Sequence, residues 1–191
     1  MKTEKEMKHV IVIGGGASGM MAAVSAAKEG ARVTLLERNE KTGKKIYITG
    51  KGRCNLTNSC EKGNFFDHIV SNGKFLYSAF NRMDNQAVTK FFEAAGCRLK
   101  EERGNRVFPV SDHASDVISA LNRQMEKEKV RVCLHTKVTE ILLEDGVRGV
   151  RLSDGQELRA DAVIIATGGK SYEATGSNGD GYRCPGNRTY C

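Results

Sequence analysis

A glycine-rich turn between an apolar run and an alanine-rich segment constrains the fold more than any other feature of the sequence. His9–Ile13 reads HVIVI, a short β-branched run that is typical of a buried parallel strand. Three glycines follow, and Ala17–Glu29 is rich in Ala and Met and lacks Pro, which favours a helix. Arg32–Leu36 then predicts a second strand that ends at Glu37. The segment is therefore a βαβ unit on the usual scale of roughly 30 residues.

The spacing Gly14-x-Gly16-x-x-Gly19 at this turn predicts a dinucleotide site. Gly14 permits the tight turn out of the strand, Gly16 lets the backbone approach a pyrophosphate, and Gly19 lets the helix lie close to the sheet. The pyrophosphate would then meet free N–H groups and the positive end of the helix dipole. Glu37 can accept hydrogen bonds from ribose hydroxyls and would repel a 2′-phosphate, which disfavours NADP here. The alternative is a glycine-rich turn that binds nothing.

The C-terminal third of the sequence favours FAD over NAD. Short runs between Arg131 and Leu158 predict strands, with Asp145-Gly146 and Asp154-Gly155 as hairpin turns. Asp161–Ala166 predicts another buried strand, which opens into Thr167-Gly168-Gly169. The βαβ unit, the β-meander and this return strand predict an α/β fold, a Rossmann-like FAD-binding domain of the two-dinucleotide flavoprotein type. Its parallel sheet is interrupted by the meander, where Val138 either offers backbone to adenine or packs in the core.

Two amphipathic helices and a long loop are predicted in the middle of the chain. Asp84 is placed to cap a helix that ends at Gly96. Asp112 is placed to cap a second helix, whose apolar face consists of Val117, Ile118, Leu121 and Met125. Residues 38–65 are predicted to form a long loop with one helical turn. Loops of this length inside a domain are usually functional.

The most distinctive part of that loop is the segment TGKGRCNLTN over residues 49–58. Arg53 offers a planar fork for phosphate or flavin carbonyl oxygens. Asn55, Thr57 and Asn58 offer neutral donors of the kind that a flavin edge needs. The alternative is a solvated basic loop.

Composition excludes several other classes of protein. The 191 residues suffice for one domain, and no apolar run approaches the ~20 residues of a membrane span. The N-terminus has no signal-peptide pattern, so we expect a cytoplasmic protein with no membrane partner. The net charge of +7 is spread along the chain, which argues against nucleic acid. The six cysteines show no metal-ligand spacing, so we expect free thiols and no metal.

Three segments resemble one family of flavoproteins: GKKIYITGKGRCNLTN, GNRVFPVSDHASDVISAL and ATGGKSYEATGSNGDGY. They are similar to the bacterial BaiN-like NAD(P)/FAD-dependent oxidoreductases, which include aminoacetone oxidase-like proteins, from about His9 to Tyr182. The resemblance implies FAD bound by the glycine turn, Glu37, Lys45, Arg53 and the Thr167-Gly168-Gly169 end. It also implies NAD(P)H as reductant and a small organic substrate, with steroid-like enones as one suggested class.

The C-terminus departs from that family. Members continue after GDGY into an inserted substrate domain and return with a Gly-rich segment that closes over the flavin. Residues 183–191 instead read RCPGNRTYC, without helical or strand pattern. We therefore expect a partial, truncated FAD-binding domain over residues 1–182 and an aberrant or truncated tail over 183–191. Much of the flavin-ring face and the substrate pocket would then lie outside the chain.

No catalytic acid, base or nucleophile is evident in the sequence. Cys54 and Cys60 are separated by NLTNS, a longer spacer than that of flavin-dependent disulfide reductases, although Cys54 in a basic loop could have thiolate character. The leading hypothesis is an FAD-dependent oxidoreductase that uses NAD(P)H. The alternatives are a non-catalytic FAD-binding fragment and an NAD-binding dehydrogenase without flavin. The residues predicted to bind the cofactor are Gly14, Gly16, Ala17, Ser18, Gly19, Glu37, Arg38, Lys45, Gly52, Arg53, Cys54, Asn55, Val138, Thr167, Gly168 and Gly169.

Overall fold

The computed structural model describes residues 7–183. The strands are β1 (His9–Ile13), β2 (Arg32–Leu36), β3 (Thr57–Asn58), β4 (Leu99–Glu102), β5 (Arg106–Pro109), β6 (Arg131–Cys133), β7 (Val138–Leu143), β8 (Val147–Leu152), β9 (Glu157–Arg159) and β10 (Ala162–Ile165). The helices are α1 (Ala17–Lys28), α2 (Lys44–Ile48), α3 (Tyr77–Arg82), α4 (Asn85–Ala94) and α5 (Ala114–Lys127), and short 3-10 turns connect several of them. These residues divide into two compact units, 46–121 and the remainder.

A parallel sheet organises the first unit. Its strand order is β10-β1-β2-β6, and every pairing is parallel, with Ile11 opposite Thr34 on one side and Val163 on the other. Parallel strands lie buried under covering elements, which explains why Val10–Ile13 of β1 are all apolar. Helix α1 connects β1 to β2 and packs against both of them. The βαβ unit predicted from the sequence is thus confirmed, with both strand boundaries as expected.

The β-meander covers the sheet. Strands β7, β8 and β9 form an antiparallel sheet in that order, with hairpins at the two predicted Asp-Gly turns. Val150 and Leu152 of β8 join Ile11, Ile13 and Leu36 of the parallel sheet in one buried cluster. Burial of this apolar surface fixes the meander on the sheet. The predicted Rossmann-like fold with its meander is therefore confirmed for this unit.

The second unit contains the antiparallel sheet β3-β5-β4 and the helices α3 and α4. Asp84 caps α4 as predicted, because its carboxylate accepts a hydrogen bond from the Ala87 amide at 2.8 Å. Phe65, Phe66, Tyr77 and Phe80 form a cluster of stacked and edge-on rings. Across the 177-residue stretch from 7 to 183, no helix is long and apolar enough to cross a membrane.

Two expectations about the middle of the chain were wrong. Asp112 does not cap α5, since the helix begins at Ala114 and the Asp112 backbone has φ +59°. Its carboxylate instead binds two cations, as described below. The stretch predicted as a long loop contains α2, the strand β3 and two 3-10 turns, so it is more ordered than its Gly, Lys and Asn content indicated. Of the predicted tail, residues 184–191 lie outside the described residues.

Candidate dinucleotide site

The turn after β1 is held against both neighbouring strands. The Gly14 amide donates to the Leu36 carbonyl at 2.8 Å, and the Ala166 amide donates to the Ile13 carbonyl at 2.8 Å. Gly14 has φ +108°, and a Cβ there would lie 2.5 Å from the Ala166 oxygen. Only glycine meets both conditions. The carboxyl ends of β10, β1 and β2 are thereby drawn together around one glycine.

Gly19 and Gly16 have opposite surroundings. A Cβ on Gly19 would overlap the Gly14 carbonyl oxygen, so glycine is needed for helix α1 to lie this close to the turn. A Cβ on Gly16 would meet nothing within 4 Å. Gly16 is the N-cap of α1 and provides no side-chain cap, and Ala17 and Ser18 after it are exposed. The first-turn amides of a helix have no intrahelical acceptor, so this open space is suited to an anion such as a pyrophosphate.

Glu37 lies at the tip of β2, beside the glycine turn. Its side chain is buried, with 7% of the residue exposed. Its Oε2 accepts from the Gly15 amide at 2.6 Å, and its Oε1 accepts from the Asn39 amide at 2.8 Å and from Asn39 Nδ2 at 2.6 Å. A carboxylate has about four acceptor sites, so these three bonds leave room for one ribose hydroxyl. The site therefore fits a dinucleotide with an unphosphorylated ribose.

Arg38 and Lys45, two cations predicted to bind the cofactor, contact a later part of the chain. Arg38 Nη1 donates to Asp180 Oδ2 at 2.8 Å, and Arg38 Nη2 donates to the Gly176 carbonyl. Lys45 Nζ donates to Ser171 Oγ at 2.9 Å. Sequence reasoning placed both cations at the cofactor and missed the segment that they bind. The small polar residues of SYEATGSNGDG were the available signal, since they suit a chain that runs close over a surface.

The return strand β10 opens into Thr167-Gly168-Gly169 at the same edge of the sheet. The Gly169 carbonyl accepts from the Gly179 amide at 3.1 Å. Gly168 has φ +77°, and a Cβ there would lie 2.7 Å from Ser177 Oγ. Residues 177–179 therefore pack against this strand end, and the contact of Thr167-Gly168-Gly169 with the cofactor stays a prediction.

Val138 is the first residue of β7 and pairs with Leu152. Its side chain is half-buried and packs against the cluster formed by Ile11, Ile13 and their neighbours. The core-packing alternative thus describes its side chain. Its suggested backbone contact with adenine stays a prediction.

Gly52, Arg53, Cys54 and Asn55 belong to the second unit. Arg53 is tied to two carboxylates: Nη2 pairs with Glu102, and Nε donates to Asp112 Oδ1 at 2.7 Å. Lys100 Nζ completes the group at 2.7 Å from Asp112 Oδ2. We call Arg53, Lys100, Glu102 and Asp112 the charged cluster.

The charged cluster shifts the pKa of each of its members toward the charged form. Hydrogen bonding from Arg53 lowers the pKa of Glu102, and hydrogen bonding from Lys100 lowers the pKa of Asp112. Hydrogen bonding to Glu102 raises the pKa of Arg53. The Arg53 guanidinium also lies 4.3 Å from the centre of the Phe108 ring. These contacts orient the Arg53 guanidinium.

Cys54 is buried, contrary to the expected thiolate character. Burial raises the pKa of its thiol above the usual value, which disfavours the thiolate. Cys54 and Cys60 are both unpaired thiols. Between residues 7 and 183, no group of three His, Cys, Asp or Glu side chains is placed to hold a metal ion.

The parallel sheet, the meander and the glycine turn with Glu37 define the class of protein: a Rossmann-like fold of the FAD-binding type. Within that class, residues 8–188 match the HI0933-like protein Rossmann domain family, and the chain belongs to this family. The resemblance seen in the sequence is thereby confirmed.

Two curated relatives and one solved structure illustrate the likeness. The chain is 36% identical over 178 residues to a 3-dehydro-bile acid delta(4,6)-reductase of Clostridium scindens, covering 92% of this chain and 42% of the relative. It is 30% identical over 180 residues to a ribosomal RNA dihydrouridine synthase of Escherichia coli, covering 93% and 44%. The chain therefore spans less than half the length of these relatives.

The solved structure is a 3-ketosteroid-delta4-(5alpha)-dehydrogenase from Rhodococcus jostii. Its TM-score is 0.60 at 19% identity, and the match covers 89% of this chain and 48% of that one. At this level of identity the likeness concerns the fold alone.

Proposed function

We propose that this chain is the FAD-binding part of an oxidoreductase in which NAD(P)H reduces the flavin and the flavin reduces a small organic substrate. The observation that carries the proposal is the contrast at the glycine turn. The Gly14 carbonyl fills the space beside Gly19, whereas the space beside Gly16, the N-cap of α1, is open. Beside that space, Glu37 retains an acceptor site for a ribose hydroxyl. This arrangement suits an uncharged ribose joined to a pyrophosphate.

Each proposed ligand has a separate task. The amides of Ala17 and Ser18 would hold the pyrophosphate, and Glu37 would orient the adenosine ribose. Thr167-Gly168-Gly169 would let the ribityl chain pass close to backbone. When bound, FAD supplies reversible two-electron chemistry between NAD(P)H and an organic substrate. In this proposal residues 1–182 form the FAD-binding domain.

The proposed substrate class is a carbon–carbon double bond conjugated to a carbonyl group. This proposal is supported by the bile-acid reductase, whose name denotes reduction of such a bond in a steroid. The dihydrouridine synthase supports it as well, because dihydrouridine is uridine with its ring double bond reduced. An enone of steroid type is the first candidate, since the relative that acts on a bile acid shares the higher identity.

A uracil ring in RNA is the second candidate. The match to the ribosomal RNA dihydrouridine synthase covers 93% of this chain. The net charge of +7 would also favour a polyanionic substrate. This candidate runs against the expectation from charge distribution that no nucleic acid binds. A substrate comparison separates the two.

The test begins with the purified protein. Heat denaturation and chromatography of the released cofactor should give FAD at one equivalent. Anaerobic addition of NADH or NADPH should then bleach the flavin absorbance, and a 3-oxo-Δ4 steroid or a uridine-containing RNA should restore it. Release of NAD without flavin would establish a flavin-free dehydrogenase instead. A colourless protein whose melting temperature does not rise with added FAD would establish a fragment that binds no cofactor.

A further inference from the structure

Residues 171–181, which we call the closing segment, are attached at two places on the sheet edge. The first attachment is to the strand end after β10. Ser177 is buried against Gly168, and the Gly179 amide donates to the Gly169 carbonyl at 3.1 Å. A Cβ on Gly181 would lie 2.7 Å from Thr167 Oγ1. This part of the segment is therefore packed tightly on the Thr167-Gly168-Gly169 turn.

The second attachment is to the residues that follow β2. Arg38 binds the Asp180 carboxylate at 2.8 Å and the Gly176 carbonyl, with 25% of the Arg38 side chain exposed. Asn39 Nδ2 reaches the Thr175 carbonyl at 3.4 Å while it also donates to Glu37. Lys45 holds the beginning of the segment through Ser171. The predicted ribose ligand is thus linked through Asn39 to the closing segment.

The order of the strands places these attachments on opposite sides of the glycine turn. β1 lies between β10 and β2, and all three strands run in the same direction. A segment attached beyond the carboxyl ends of β10 and β2 therefore spans the interval in which the carboxyl end of β1 lies. That end carries Gly14, where the dinucleotide is expected.

We propose that Arg38 is a positioning residue that latches the closing segment over the dinucleotide site through its ion pair with Asp180, and so slows release of the bound dinucleotide. The inference rests on the proposed binding of FAD. Its basis is the geometry of the Arg38 guanidinium, which donates hydrogen bonds to the Asp180 carboxylate and to the Gly176 carbonyl of the closing segment. A charge-assisted pair of this kind, partly shielded from water, is worth more than an exposed surface pair.

The competing role for Arg38 is that of a direct phosphate ligand. The two roles make opposite predictions for Asp180. If Arg38 is a latch, removing the Asp180 charge opens the segment and speeds release. If Arg38 binds phosphate directly, removing that charge frees the guanidinium and tightens binding. Substitutions of Arg38 itself weaken binding in both cases, so Asp180 is the informative position.

The experiment compares the full chain with Asp180→Asn, Arg38→Gln and the double variant. Glu157→Gln serves as the matched control, because it weakens an ion pair with Arg151 at 2.8 Å in the meander of the same unit. FAD dissociation is followed by recovery of flavin fluorescence after dilution, and amide hydrogen exchange is measured over residues 171–181 without FAD. We expect Asp180→Asn to speed dissociation about five-fold and to raise exchange in that segment. The double variant should add little to the single ones.

Each outcome decides the proposal. Slower dissociation in Asp180→Asn, or equal effects of Asp180→Asn and Glu157→Gln, would overturn the latch. If the unaltered chain does not bind FAD, the proposed function fails, and the exchange measurement still tests the latch by itself. Unchanged exchange over residues 171–181 in both Asp180→Asn and Arg38→Gln would then refute it.

Discussion

Two glycine-rich loops of this protein reach a defined conformation by different means. The loop Gly14–Gly19 is held by backbone, through the amide of Gly14 and the close approach of Gly19 to the Gly14 carbonyl. The loop Gly50–Asn55 includes Lys51 and Cys54, two non-glycine residues with positive φ, and its Arg53 is bound by carboxylates. The packing of the first loop therefore requires glycine at positions 14 and 19, and the second loop has an arginine that is held by charged partners.

The stability of the two loops should therefore respond to different perturbations. An added methyl group at Gly19 should disturb the first loop, whose charged contact is the buried Glu37 carboxylate at the Gly15 amide. The second loop should weaken when the carboxylates that bind Arg53 are protonated or screened by salt.

Gly19→Ala and Gly16→Ala should differ most. The new Cβ at position 19 would overlap the Gly14 carbonyl, so we expect a loss of about 3 kcal/mol in the free energy of unfolding. The Cβ at position 16 meets only open space, so stability should change by less than about 1 kcal/mol. Because that space is where the pyrophosphate is proposed, FAD affinity should still fall at least about ten-fold. Urea unfolding measures the free energy of unfolding, and fluorescence titration measures the FAD affinity. Equal stability of the two variants would contradict the expected difference between positions 19 and 16.

Glu37→Gln should cost less stability than Gly19→Ala. The new side-chain amide would place an N–H₂ group opposite the donors of Gly15 or Asn39, which now give hydrogen bonds of 2.6–2.8 Å. We expect a loss of about 1–3 kcal/mol in unfolding free energy, together with weaker FAD binding. An unchanged FAD affinity in a folded variant would show that Glu37 is not a ribose ligand.

The charged cluster should make stability depend on acid pH. The pKa values of Glu102 and Asp112 are lowered in the folded state, so their contribution is present above their unfolded pKa. It is lost as the pH falls through the lowered folded values. The melting temperature of Glu102→Gln/Asp112→Asn should therefore fall less steeply below about pH 4 than that of the unaltered protein. Glu101→Gln, on the same strand but outside the cluster, is the control and should follow the unaltered protein.

Cys54 should give the smallest effect, on reactivity rather than stability. Burial raises the pKa of its thiol and hides it from reagents, while Cys60 is half-buried. Peptide mass mapping after iodoacetamide treatment of the native chain should find Cys60 alkylated before Cys54. Faster labelling of Cys54 would mean that the loop opens in solution.

The sequence predicted those features that depend on neighbours along the chain. β1, α1, β2 and the two hairpins follow from local apolar patterns and turn residues, and Asp84 was recognised as a cap because capping acts over a single helical turn. These elements also carry the glycine turn, so the edge of the sheet where the nucleotide is proposed to bind was predictable.

Features that depend on distant pairing were missed. Arg53 binds Glu102 and Asp112, and Arg38 binds Asp180, and in each pair the partners are far apart in the chain. No local pattern shows such a pairing. Asp112 illustrates the consequence: its position before α5 suggested a cap, but its carboxylate binds Arg53 and Lys100.

Equilibrium titration of the purified chain with FAD tests whether the glycine turn and Glu37 bind this cofactor. Flavin fluorescence and the melting temperature are recorded for the unaltered chain, Gly16→Ala and Glu37→Gln. We expect saturable binding of one FAD per unaltered chain, with a rise in melting temperature, and weaker binding in both folded variants. Equal binding by all three, or a rise in melting temperature with NAD but not with FAD, would contradict it.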